Sequence, residues 1–286
     1  MAVKNVIIPN KKELEKSKRI IVKDGAQELH VVSDFNRTLT TAFFDGKSVP
    51  SLISVLRDGS YLTSDYAQKA QALYNKYHPL EIDPKIPKKE KKKLMQEWWT
   101  IHFALLIKSG LNKKDLERVV SSNKVKFRNG FSEFVDILKK NNVPLVIISS
   151  DGLGGDGISM YLKKDKKIYD NIYIVSNSYE WGRDGSAVAV KKPIIHVMNK
   201  NEASVKDFPF FKKIKDRKNV LLLGDSLDDI EMVAGFHYDN LIKIGFLNEN
   251  VKENMEYYKR NYDAIILNDS SMDFINKLLK EIVKRR

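Results

Sequence analysis

Residues 31–40 read Val-Val-Ser-Asp-Phe-Asn-Arg-Thr-Leu-Thr, an apolar, β-branched run that stops at a carboxylate and then turns polar. Such a run suits a short strand buried on both faces, so residues 29–33 are expected to form the first core strand. Open α/β sheets build their binding crevices at the carboxyl ends of strands. Asp34 is therefore the first candidate functional residue.

The same kind of run returns later in the chain. Residues 145–149, 172–176, 220–223, 241–244 and 264–267 read as strands, and residues 130–140, 227–234 and 271–284 as helices. Alternation of this kind predicts an α/β fold with a Rossmann-like, mainly parallel sheet covered by helices. Between the first strand and the second lies a different stretch, with helical periodicity over 65–77 and 88–108 and little that reads as strand. Pro79, Pro84 and Pro87 separate those two runs. The expected organisation is a core of residues 1–44 and 125–286 with a helical cap, residues 45–124, inserted over the sheet's carboxyl edge.

Composition narrows the function classes. The chain of 286 residues is 42% hydrophobic, enough for a sizeable core. Lys plus Arg outnumber Asp plus Glu by 50 to 37. A net charge of +13 favours anionic partners, while the scatter of the lysines reads as a solvated surface. The absence of cysteine excludes disulfides, thiol nucleophiles and thiolate metal sites. The five histidines show no metal-ligand spacing, so zinc is not expected. No apolar stretch approaches the roughly 20 residues a membrane span needs, which predicts a cytoplasmic protein without membrane contact. Nothing in the sequence reads as an RNA-recognition module, so nucleic acid is not an expected partner, nor is an obligate protein partner.

Four polar groups follow predicted strands in a fixed order. Asp34 is the first, and Ser149-Ser150 the second, where hydroxyls and backbone N–H groups can hold phosphate oxygens. A lysine, Lys191 or Lys192, is the third. Gly224-Asp225-Ser226-Leu227-Asp228-Asp229 is the fourth, with several carboxylates in one turn. Carboxylates crowded in that way repel unless a cation neutralises them, and their hard oxygens suit Mg²⁺. A carboxylate can attack a phosphate dianion only when that charge is neutralised, so a phosphoaspartate enzyme needs the whole set.

The segment around Asp34-Phe35-Asn36-Arg37-Thr38-Leu39-Thr40 resembles the first motif of the haloacid-dehalogenase-like phosphatases. Longer stretches are similar to the cytosolic pyrimidine 5'-nucleotidase (type III) family within that superfamily. They are Leu80-Glu81-Ile82-Asp83-Pro84, Glu97-Trp98-Trp99-Thr100, Lys191 through Ile194-Ile195-His196-Val197-Met198-Asn199-Lys200, Leu222-Leu223-Gly224-Asp225-Ser226, Ile242 through Asn248, and Tyr262 through Asp269. The resemblance implies Mg²⁺-dependent hydrolysis of nucleoside 5'-monophosphates, pyrimidines favoured, to nucleoside and phosphate through an aspartyl-phosphate.

Carried over by position, the resemblance makes Asp34 the nucleophile and, with the backbone carbonyl of Asn36, Asp225 and Asp229, a metal ligand. Ser149 and Ser150 match the phosphate-binding pair, with Asp151 following where the family usually has glycine. Lys191 aligns with the phosphate-stabilising lysine, and Lys192 is the fallback. Glu81 matches a cap carboxylate that contacts the base, and His102 stands where the family places a serine at the base. Asn36 occupies the place of the aspartic acid that protonates the leaving oxygen and later activates water. An amide can do neither, and such assistance is typically worth about 10² to 10⁴ in rate. Impaired turnover is expected, and the alternative is a nucleotide-binding protein without turnover.

Two further motifs read as structure. Trp98 and Trp99 lie at helical spacing, which favours core packing over base stacking. Gly152-Leu153-Gly154-Gly155-Asp156-Gly157 satisfies a dinucleotide fingerprint, but the next strand ends at Asn177 instead of an acidic residue. A flexible turn after the serines is expected there.

Overall fold

A computed structural model describes residues 5–284, apart from 50, 84, 201–204, 206–207 and 236. Among the described residues eleven strands run in chain order: β1 (Val6–Ile7), β2 (Leu29–Ser33), β3 (Phe43–Phe44), β4 (Lys47–Ser48), β5 (Leu145–Ser149), β6 (Ile172–Ser176), β7 (Tyr179–Trp181), β8 (Ala187–Val190), β9 (Asn219–Gly224), β10 (Asn240–Leu247) and β11 (Ala264–Leu267). The helices are α1 (Lys11–Asp24), α2 (Leu52–Asp58), α3 (Tyr66–Ile82), α4 (Lys88–Lys108), α5 (Lys113–Ser121), α6 (Phe131–Lys140), α7 (Gly154–Lys164), α8 (Val251–Asn261) and α9 (Asp273–Val283). Short 3₁₀ segments include Val197–Asn199 and Leu227–Gly235.

Seven strands make one sheet in the order β1-β11-β10-β9-β2-β5-β6. Every pair in it is parallel except β1 on β11. β2, β5 and β9 are buried along their whole length, which is why their sequences are unbroken apolar runs. Alternate residues feed the two faces. Val31, Leu145, Ile147, Leu221 and Leu223 join the larger core, and Val32, Val146, Ile148, Val220 and Leu222 join a second one with Phe210 and Met232. Ser33 pairs with Ile147 on one side and Leu223 on the other. Asp34, Ser149 and Asp225 therefore leave the sheet side by side at its carboxyl edge.

Helices α2 to α5 fill the stretch between β4 and α6 and contribute no strand to the large sheet. α3 packs along α4, with Tyr77 stacked on Trp98 at 5.7 Å between centroids and an interplanar angle of 10°. α5 lies on α7, and α4 touches both β8 and the Val197–Asn199 segment. Lys88 at the start of α4 forms an ion pair with Glu231 of the Leu227–Gly235 segment.

Several boundaries differ from the sequence expectation. The helix expected over 65–77 is α3, which runs on through Pro79 to Ile82, because buried Tyr77 and the packing against α4 hold it past the missing N–H. The break lies nearer Pro87, which precedes α4; Pro84 is outside the described residues. Residues 227–234 are 3₁₀ instead of α-helix. The glycine-rich stretch is no flexible turn, since Gly154 opens α7. A Cβ on Gly154 would lie 2.2 Å from the carbonyl oxygen of Asn177, and its φ is +66°, so this position admits only glycine.

Candidate active site

Asp34 follows β2 directly, and its backbone N–H donates to the carbonyl of Leu223 at 3.0 Å, which extends the β2–β9 ladder by one residue. The residue is only 3% exposed. The Lys200 ammonium donates to Asp34 Oδ1 at 2.6 Å and to Asp229 Oδ1 at 2.7 Å. One buried cation thus bridges two buried carboxylates. Burial pushes the Asp34 carboxyl up to about 8 against the pull of Lys200, with Asp229 and Asp225 pushing the same way as burial. Burial alone would lower Lys200, but Asp229 and Asp34 together raise it above the ordinary lysine range.

The turn after β9 presents the other acids. Asp229 Oδ2 accepts from the backbone N–H groups of Asp225 and Ser226, both at 3.0 Å, so this carboxylate shapes the turn as well as facing Lys200. Gly224 makes that possible, because a Cβ there would stand 2.5 Å from the Cβ of Asp229. The hydroxyls of Tyr258 and Tyr262 donate to the carbonyls of Asp225 and Ser226 from behind. Burial first, and then Asp229, raise Asp225 to about 6. Arg37 Nε lies 3.3 Å from Asp225 Oδ2, and Thr38 Oγ1 lies 3.4 Å from Oδ1.

Residue 37 takes the left-handed conformation, φ +60°, which reverses the chain after Asn36, and the Thr40 hydroxyl accepts its N–H at 2.8 Å. Arg128, almost wholly buried, ties this loop down by donating to the carbonyls of Arg37, Thr38 and Thr40 and pairing with Asp269 at 2.8 Å. Ligand atoms of Asp34, Asp225 and Asp229 all lie within 4.8 Å of one another. Three oxygen donors, Asp34 and Asp229 buried and Asp225 partly exposed, two of them pushed above the ordinary carboxylate range, are the donor set a hard divalent cation fits.

Ser149 ends β5 wholly buried, and its hydroxyl accepts the Asp151 N–H at 3.2 Å; Ser150, beside it, is partly exposed. Asn36 donates its side-chain amide to Asp151 Oδ2 at 3.1 Å. Glu81, near the end of α3, is half-buried and feels Asp228, Lys91 and Lys200, which places it at the cleft. Burial and then Asp228 push its carboxyl up to about 7. His102 is buried in α4, stacked on Trp99 at 5.5 Å, with its Nε2 3.1 Å from the Tyr66 hydroxyl. Burial, aided by Arg57, lowers its imidazole to about 4, so it is neutral at physiological pH. Trp98 and Trp99 are both buried as core residues. The Trp99 ring also lies over the serine loop, where a Cβ on Gly152 would meet it at 2.9 Å.

The lysine is where the sequence expectation needs correction. Lys191 and Lys192 are exposed beyond β8, next to Ser176 and Phe208, and the cation on Asp34 is Lys200. β8 belongs to a two-stranded hairpin with β7, outside the large sheet, so its end does not open on the sheet edge that carries Asp34. Lys200 comes instead from the turn after the Val197–Asn199 segment, which His196 caps. Its signal was present in the Ile194–Lys200 stretch, but no strand precedes it directly. Arg37 and Arg128 were also missed; neither residue has a local pattern that separates it from a surface arginine.

Asp34, Ser149, a lysine and a GDxxxD turn on a parallel sheet define the core of the haloacid-dehalogenase-like phosphatases. The backbone agrees: a substrate-bound phosphoserine phosphatase superposes with a TM-score of 0.53 at 15% identity, covering 87% of this chain and 96% of its own. The sequence profile of the pyrimidine 5'-nucleotidase (UMPH-1) family matches residues 37–283, and the chain belongs to that family. A human 7-methylguanosine phosphate-specific 5'-nucleotidase is 36% identical over 262 residues, 91% of this chain and 87% of that protein. A putative cytosolic 5'-nucleotidase 3 of Caenorhabditis elegans is 32% identical, covering 91% and 71%. Cytosolic 5'-nucleotidase IIIB, solved with cytidine bound, superposes with a TM-score of 0.89 at 27% identity, covering 98% and 94%.

Proposed function

We propose that this chain hydrolyses nucleoside 5'-monophosphates to nucleoside and phosphate, with Asp34 as nucleophile. The observation that carries the reading is the buried Lys200 bridge between Asp34 and Asp229 at the sheet's carboxyl edge. An Asp34 oxygen attacks phosphorus, the bond from phosphorus to the 5'-oxygen breaks as that oxygen takes a proton from solvent water, and a second water then attacks phosphorus, its proton leaving with the phosphate, to free the aspartate. Lys200 offsets charge on the carboxylate and on the transferring phosphoryl group, in a setting dry enough to make that interaction strong. Ser149 and Ser150 hold phosphate oxygens. Asp34, the Asn36 backbone carbonyl and Asp225 would hold Mg²⁺, with Asp229 assisting. Bound there, Mg²⁺ supplies further neutralisation of phosphate charge.

Helices α2 to α5 act as the cap, residues 45–124 against the core of 1–44 and 125–286, and carry base recognition. Relatives named for 7-methylguanosine phosphate and a structure with cytidine support a choice between those bases. Glu81 favours the first, since 7-methylation leaves the purine cationic and a carboxylate suits a cation. Among the described residues no helix is long and apolar enough to cross a membrane, and relatives named cytosolic support action in the cytosol.

The test is phosphate release from CMP, UMP, purine monophosphates and 7-methylguanosine monophosphate, with Mg²⁺ and with chelator. Release that needs the metal and disappears in Asp34→Asn supports the reading. Asn36 favours a second reading, a nucleotide-binding protein without turnover, and nucleotide binding with no release from the wild-type chain would establish it.

A further inference from the structure

Asp151 stands in the serine loop and is 3% exposed. Its carboxylate accepts the Leu153 N–H at 2.8 Å at the approach to α7 and the N–H groups of Leu52 and Ile53 at the start of α2. Its Oδ2 also accepts from the Asn36 side-chain amide at 3.1 Å. A carboxylate held by that many N–H groups presents only acceptors to its neighbour. The Asn36 nitrogen must therefore face Asp151, and the amide oxygen faces the other way, buried and without a hydrogen-bond partner among the described residues.

A carboxylate at position 36 would meet a second buried carboxylate at hydrogen-bond distance. The residue at 36 and the residue at 151 are thus one decision. With a small neutral residue at 151 an acid fits at 36, and with Asp151 tying α2 to the serine loop an amide does.

We propose that Asp151 is a positioning residue for the reaction: it fixes the Asn36 amide so that its oxygen accepts a hydrogen bond from the water that attacks the aspartyl-phosphate, the proton of that water leaving with the phosphate, and it disfavours an acid at position 36. This rests on the nucleotidase reading above. Asn36 is accordingly a settled part of this site, and restoring aspartate there alone does not restore the missing proton transfer.

The experiment is a double-mutant cycle on the full chain: wild type, Asn36→Asp, Asp151→Asn and the double variant. kcat and KM for phosphate release are measured with 7-methylguanosine monophosphate and CMP, and thermal midpoints with chelator present. Expected is an Asn36→Asp enzyme no faster than wild type and with a lower midpoint. The double variant recovers the midpoint and exceeds the single variant at least tenfold in kcat, against the 10² to 10⁴ typical of acid–base assistance, with KM within about threefold. An Asn36→Asp chain that gains tenfold alone, with no further change on adding Asp151→Asn, overturns the proposal. If no variant releases phosphate, the nucleotidase reading fails separately and the midpoints judge the pair, additive shifts overturning it and recovery in the double variant upholding it.

Discussion

Replacing Lys200 by methionine keeps most of the buried stem and removes only the charge. The ammonium makes contacts of 2.6 and 2.7 Å with two carboxylates. At an effective dielectric of about 20 each contact is worth about 6 kcal/mol of Coulomb attraction, and desolvation of the three charges returns several of those. Removing one partner from a buried ion pair leaves the other uncompensated, which typically costs about 3–5 kcal/mol. Urea unfolding of Lys200→Met with chelator at pH 8 should show a loss of that size. Added Mg²⁺ should recover part of it by pairing with the same carboxylates. Turnover should fall by about 10² to 10³, the usual size for loss of one preorganised charge at a transition state. Lys191→Met, at an exposed position, should stay within about 0.5 kcal/mol of wild type and within about threefold in kcat. If Lys200→Met loses under about 1 kcal/mol and keeps turnover within tenfold, while Lys191→Met is damaged, the assignment of the lysine is wrong.

Two further predictions concern the cap and the loop. Glu81 is raised to about 7, so its carboxylate forms as pH rises through that value; KM for 7-methylguanosine monophosphate should fall over pH 6 to 8 relative to Glu81→Gln, whose own profile gives the baseline. A Glu81→Gln profile that superimposes on wild type would remove Glu81 from base recognition. Arg128→Met leaves several carbonyls and the Asp269 carboxylate without their buried donor and should cost about 3 kcal/mol or more in denaturant unfolding; a loss under about 1 kcal/mol would show that the loop holds itself.

The elements most legible in the sequence were those that tertiary context could not disguise. β2, β5 and β9 are buried on both faces, so their sequences are continuous and apolar, and each is followed by the residue the site uses. Asp34, Ser149 and the GDxxxD turn could be read because a strand aims them. Lys200 could not be read in that way: a cap at His196 and a short 3₁₀ turn deliver it to Asp34 across 166 residues of sequence, and strand-based reasoning settled on Lys191. Helix α1 was also missed. Its apolar face is short, and much of its stability comes from packing on β10 and α9, which a local window cannot see. The Asn36 departure was visible at once as a missing acid, but its counterpart Asp151 acquires meaning only when the fold brings two loops 115 residues apart within hydrogen-bond distance.

The place of β2 in the sheet has a consequence for how the protein is made. It is the second strand in the chain, yet its two neighbours are β5 and β9, so the centre of the sheet waits for sequence delivered 112 and 186 residues later. During synthesis Asp34 emerges early, with neither its bridging cation nor its fellow acids. Closure of long loops of that kind is slow, and the Asp34–Lys200–Asp229 cluster stays unassembled until residue 229 has left the ribosome. Phosphate chemistry in this protein is therefore withheld from the growing chain and begins only when most of it has been released.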